Sequence, residues 1–155
     1  MKIILLVITL ILSGLLSACS DKHNAFEPFA FTKAKELSED TILTLKIKNK
    51  ESVHGIVSVI YLNKVFPKEF HTKEYFYVYY YLKEKDEKIS FLLNNKKPLS
   101  IKELNAENRF STLTNFDAAW SKYYLLVFNR EGNILDFQIK TDKAASATLK
   151  FVKDK

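Results

Sequence analysis

From Thr41 onward, apolar and polar residues alternate with a period of two, the pattern of half-buried β-strands rather than of helices. Leu43, Leu45 and Ile47 alternate with Thr44, Lys46 and Lys48, and Asn49 to Ser52 supplies a turn. Val53 to Phe66 is apolar on both sides through Ile56, Val57, Val59, Ile60, Tyr61 and Leu62, which predicts a central strand, bent near Gly55 and ended by Pro67. Tyr75 to Leu82 follows, with Tyr75, Tyr77, Tyr79 and Tyr81 on one side and Phe76, Val78, Tyr80 and Leu82 on the other. A charged turn over Lys83 to Lys88 leads to a strand at Ile89, Phe91 and Leu93. Asn94 to Pro98 then forms a loop. Lys122 to Phe128 is apolar on both faces, Ile134 to Lys140 points Leu135, Phe137 and Ile139 inward, and the last strand does the same with Ala147, Leu149 and Phe151.

Helical signals are few. Ser100-Ile101-Lys102-Glu103 has the spacing of a capping box and predicts a short helix over 101–105. Phe26 to Phe31, interrupted by Pro28, reads as an edge strand or lead-in, and Thr32 to Asp40 lacks a sustained apolar stripe and reads as a connection. Arg109 to Ser121 is irregular and carries Trp120, expected to plug the core beneath that loop. Seven or so strands joined by short turns place the chain in the all-β class, as an antiparallel β-sandwich forming one domain over 26–155. An immunoglobulin-like topology is the first expectation, on architecture alone, because the Cys, Trp and Cys markers of antibody domains are absent.

The N-terminus follows a different rule. Lys2 precedes an apolar run from Ile3 to Leu12, and Leu16-Ser17-Ala18-Cys19 closes it with small residues before the only cysteine. Residues 3–18 supply too few positions for a bilayer span, which needs about 20, and they are punctuated by Ser13 and Gly14. A buried cysteine is a poor reading, since the polar Ser20-Asp21-Lys22-His23-Asn24 follows it directly. A plain secretory signal would leave a lone thiol in an oxidising compartment.

Together these residues resemble a bacterial lipoprotein precursor. The resemblance implies that 1–18 is a helical signal peptide, that cleavage falls between Ala18 and Cys19, and that Cys19 receives a diacylglycerol and an N-acyl chain such as palmitate. Residues 19–25 then form a lipidated tether. Ser20 directly after Cys19 implies the periplasmic face of the outer membrane rather than the inner membrane. Each buried methylene contributes about 0.8 kcal/mol, so two or three chains hold such a protein at the bilayer without help from its fold.

Composition narrows the chemistry. Removing 1–18 leaves 137 of 155 residues and lowers the formal charge from +6 to +5, because Lys2 is the only charged residue lost. The remaining lysines alternate with acids, as in Lys83-Glu84-Lys85-Asp86-Glu87-Lys88, and no basic stripe interleaved with aromatics suggests nucleic acid. His23, His54 and His71 share no metal-ligand spacing, and no cysteine is available to help them, so no metal and no cofactor are expected. Gly55 and Gly132 are the only glycines after the signal, too few for a phosphate-cradling loop, and no G-x-S-x-G is present. Glu103 and Glu107 have no environment that would separate their acidities. No catalytic residues are assigned.

One surface feature stands out. If Tyr75, Tyr77, Tyr79 and Tyr81 faced water they would form a hydroxyl-rich aromatic platform, a candidate partner-binding face; if packed on both sides, they would be core. The expected function is therefore a membrane-anchored, non-enzymatic module that contacts an envelope protein or polymer. The alternative is a small-ligand or glycan carrier that uses the tyrosine face.

Overall fold

The computed structural model describes residues 27–84, 87–114 and 118–153. The chain divides into a segment ending at Ala30, of which only the start of the first helix is described, and a unit over Phe31–Lys155 that carries the sheet. The signal, Cys19, His23 and the tether lie outside the described residues. Among the described residues, no helix is long and apolar enough to cross a membrane.

The fold is all-β and antiparallel, as the alternation predicts. Helix α1 (Glu27–Thr41) leads into β1 (Leu43–Lys48), β2 (Val53–Tyr61), a four-residue helix α2 (Leu62–Val65) and β3 (Glu74–Leu82). Then come β4 (Ile89–Leu93), β5 (Ser100–Leu104), β6 (Lys122–Phe128), β7 (Ile134–Thr141), β8 (Ala145–Ser146) and β9 (Leu149–Val152). All nine strands belong to one curled sheet in the order β4-β7-β8-β1-β2-β3-β6-β5, with β9 also paired to β7. One sheet folded over itself gives the sandwich- or barrel-like all-β class that the alternation predicts, with a strand order that is not the two-sheet wiring of an immunoglobulin domain.

Curling encloses the main core. Val57 and Val59 from β2, Phe76 and Val78 from β3, and Leu126 from β6 meet Phe137 and Ile139 from β7 and Phe151 from β9. Phe76 is central, with ring centroids 5.1 Å from Phe137, 5.5 Å from Phe151 and 5.8 Å from Phe128. Burying each such side chain stabilises the fold by about 1.5–3 kcal/mol. A second core forms on the opposite face of β2, β3 and β6. There Ile60, Tyr77 and Tyr123 pack against Ala34 of α1, Leu62 of α2 and Phe110.

Four local expectations are corrected. The segment expected as a lead-in and a connection is helical from Glu27 to Thr41. Its described inward positions are Ala34, Ser38 and Thr41, which are small and partly polar. Ser38 Oγ donates to the Leu113 carbonyl at 2.9 Å and Thr41 Oγ1 to the Leu37 carbonyl at 2.7 Å, which lets these hydroxyls leave water. Pro28 falls in the first turn, where backbone N–H groups have no helical partner.

The run Val53 to Phe66 is not one strand, because β2 ends at Tyr61 and the chain turns into α2. The expected helix at 101–105 is instead the edge strand β5, registered on β6 from Ser100↔Val127 to Leu104↔Tyr123. An isolated helix of one turn is marginal, whereas pairing completes the ladder of a strand whose faces are both largely apolar. In the last strand, Leu149 and Phe151 point inward as expected, but Ala147 is exposed and lies before the strand begins.

The bend expected near Gly55 has a structural counterpart. The β1 and β2 register slips between Ile47 and Lys48, opposite Gly55 and Val53, so His54 is the extra residue of a bulge. A Cβ at Gly55 would lie 2.2 Å from the Tyr81 carbonyl oxygen, a backbone atom that cannot swing aside. Gly55→Ala is expected to destabilise the protein by about 1–3 kcal/mol or more, read as a lower urea midpoint. A midpoint equal to wild type would show that the β2 and β3 contact is looser than described.

Candidate functional site

The four tyrosines of the expected platform do not share one environment. Tyr77 is fully buried and Tyr79 is only 9% exposed, whereas Tyr75 is half-buried and Tyr81 is 40% exposed. The division follows from what covers the sheet. Residues of α1, α2 and the Phe110 to Leu113 turn lie over the Ile60 and Tyr77 end of the face. Tyr77 packs 5.2 Å from Phe110, and its hydroxyl accepts a bond from Asn108 Nδ2 at 3.2 Å. Tyr75 is held 4.8 Å from Phe70. Tyr77 and Tyr79 are therefore largely core, and Tyr81 is the exposed ring, at an end of the row where it and the edge of Tyr79 line a groove.

That end is a groove of about 400 Å³ bounded by Thr44, Ile56, Ser58, Tyr79, Tyr81 and Trp120. Ile56 is 47% exposed and Trp120 is 69% exposed. The tryptophan expected as a core plug is thus a wall of the groove. It lies in a segment without regular strand or helix, where no pattern of alternation could have assigned its face.

Polar groups at the floor are mutually arranged. Thr44 Oγ1 and Ser58 Oγ are 2.8 Å apart, and Tyr79 hydrogen-bonds with Ser58. Lys46, exposed, is the β1 partner of Ile56 in the ladder. Burial pushes the Tyr79 hydroxyl above its ordinary range despite the opposing Ser58 bond, and it pushes Tyr77 up to about 12. These hydroxyls stay neutral at physiological pH and can both donate and accept.

A second groove, of about 300 Å³, lies at the other end of β2 and β3, with Tyr61, Asn63, Lys64, His71, Arg130 and Lys153 among its lining. Beneath it Glu74 is fully buried. Its Oε2 accepts the Tyr61 hydroxyl at 2.6 Å, and its Oε1 accepts Lys153 Nζ at 2.5 Å and the Glu131 N–H at 3.0 Å. Burial first, then the bond to Glu74, pushes the Tyr61 hydroxyl far up, so it is a fixed donor. Glu74, which no sequence motif marks, is positioned by starting a strand whose inward face must be paired.

The histidines do not converge. His54 Nδ1 lies 3.6 Å from Glu87 Oε2 and its Nε2 lies 3.0 Å from Asn49 Nδ2, outside both grooves. His71 is in the second groove. Glu103 sits in β5 and Glu107 in the loop after it, so the two do not share a helix. Among the described residues, no group of three His, Cys, Asp or Glu side chains is placed to hold a metal ion.

The divided tyrosine row is open to measurement. Tyr77→Ala should cost about 3–5 kcal/mol of unfolding free energy, since it removes a whole ring from a packed core. Tyr81→Ala should stay within about 1 kcal/mol of wild type. Equal losses in urea titrations of the two variants would contradict the division. No family model matches the chain, and no curated protein and no solved structure matches it either, so the chemistry of the grooves alone bears on function.

Proposed function

We propose that the protein is a lipid-anchored envelope protein that binds a glycan strand without transforming it, through the groove between Tyr81, Ile56 and Trp120. The observation that carries this reading is the uncovered half of the tyrosine face. Its rings present flat apolar area to the C–H faces of sugars, while Tyr79, Ser58 and Thr44 supply hydroxyls in the floor. Lys46, paired with Ile56, and the positive balance of the chain favour a polymer that carries acidic groups.

The anchor rests on Leu16-Ser17-Ala18-Cys19 after the apolar run, with lipid on Cys19 and Ser20 favouring the outer membrane. A tethered receptor needs only modest affinity, because attachment already confines it to the envelope surface where such polymers lie. No catalytic role is assigned to either groove.

Two experiments test the two halves of this reading. Cys19→Ala should abolish labelling by a fatty-acid probe and move the protein from membrane to soluble fraction; unchanged fractionation would overturn the anchor. Tyr81→Ser combined with Trp120→Ser should weaken co-sedimentation of the full-length protein with purified cell-wall polysaccharide about tenfold or more, with the melting temperature within a few degrees of wild type. Undiminished co-sedimentation would remove the groove from consideration. Loss of a crosslinked protein partner, with polysaccharide binding absent from wild type, would replace the glycan by a protein.

A further inference from the structure

The strand order of the sheet has two ends, β4 and β5, and β5 is the less protected of them. It pairs with β6 alone, so the other row of its backbone N–H and C=O groups faces outward. Four of its five side chains are exposed, whereas in β4 only Ser90 is.

The apolar part of that exposure is concentrated at Leu99 and Ile101, which are 55% and 53% exposed. Ile101 is registered on Leu126 of the main core, which places it on the inner face of the sheet. Leu99, two residues earlier, shares that face, and its N–H bonds to the Val127 carbonyl at 2.7 Å. The opposite layer stops one strand short of both. Phe91 of β4 reaches Tyr124 of β6, with ring centroids 5.7 Å apart, and nothing comparable covers Leu99 and Ile101.

Charge along this edge is arranged symmetrically about Ser100. Leu99 and Ile101 flank it directly, and Lys97 and Glu103 lie two residues further out on either side. Pro98 biases Lys97 toward extended backbone, so Lys97, Leu99, Ile101 and Glu103 fall on one face. Lys97 and Glu103 are exposed, and among the described residues neither side chain is engaged in a hydrogen bond or ion pair.

A two-fold axis through Ser100, perpendicular to the sheet, sets two copies of the edge antiparallel. Leu99 then lies opposite Ile101 of the second copy and Lys97 opposite Glu103, and the symmetry makes each pair twice. Lys102, on the other face, meets Pro98. The register is specific, because an axis at Lys102 or at Glu103 would set like charges directly opposite, and one at Ile101 would set Leu99 against Glu103.

We propose that β5 pairs with β5 of a second copy of this chain, antiparallel about Ser100, and forms a symmetric dimer with one continuous sheet. Such a contact closes on itself and leaves no further edge of the same kind. The residues that make it bound neither groove, so it stands independently of the glycan reading.

The test is disulfide crosslinking of the full-length protein in a neutral detergent, oxidised with copper phenanthroline. Residues directly opposite in antiparallel strands have Cα atoms about 4.5–5.5 Å apart, within disulfide reach. Ser100→Cys should therefore give a covalent dimer above the background of wild type, which carries Cys19. Lys102→Cys should not, because its two thiols would be four residues, about 13 Å, apart along the strands. Lys97→Glu or Glu103→Lys, added to Ser100→Cys, should each lower the yield about threefold or more, and both together should restore it. Equal yields from Ser100→Cys and Lys102→Cys, no dimer from Ser100→Cys, or indifference to the charge reversals would overturn the proposal. Crosslinks between Ser90→Cys and Ser100→Cys chains would do the same, since they assign a contact between β4 and β5. Ser100 is exposed, so its variant should keep the wild-type melting temperature. If it does not, a mixture of Lys97→Cys and Glu103→Cys chains decides: their joining supports the pairing, and their failure to join rejects it.

Discussion

Strand β3 has to bury both of its faces, and the rest of the molecule is arranged to let it. One face, carrying Phe76, Val78 and Tyr80, needs a second layer, and the sheet supplies it by curling until β4, β7 and β9 lie opposite. The other face, carrying Tyr77 and Tyr79, needs a lid, and α1 with the Phe110 turn supplies it. A sheet covered on both sides gains apolar burial of several kcal/mol per aromatic ring pair. In a chain with no cysteine beyond Cys19, no disulfide can form within the domain, and that burial and the strand ladders must hold the fold.

Both candidate sites are consequences of where this coverage stops. At the Tyr81 end the lid does not reach, and the aromatic face that continues beyond it becomes a groove with Ile56 and Trp120. At the Glu74 end the strand begins with a carboxylate on its inward side, and a buried charge needs a partner. Lys153, directly after the last strand, and Tyr61 from β2 meet it beneath a groove whose described lining includes Lys64, His71 and Arg130. One groove is therefore lined by aromatic rings and hydroxyls, and the other by lysine, histidine and arginine side chains among others. They lie at the two ends of the same strand.

Strand parity was legible residue by residue. Leu135, Phe137 and Ile139 are fully buried, as the alternation in that stretch predicts. Among the elements that escaped are α1 and β5. The face of α1 is lined by Ala34, Ser38 and Thr41, whose burial depends on hydrogen bonds such as that from Ser38 to Leu113, a residue 75 positions away. β5 carries a helix-start signature that lost to the unpaired edge of β6, a competition between local capping and a distant ladder.

The order of apolar and polar residues was sufficient for the all-β class, for the position of most strands and for which side chains share a face, because the two-residue period of a strand is a local property. The exposure of each tyrosine was not legible in it, because Tyr77 and Tyr81 are equivalent in the pattern and differ only in whether a helix from elsewhere covers them. The second groove was equally invisible. Its side chains lie between positions 61 and 153, and only the sheet, with Glu74 buried at its centre, brings them together.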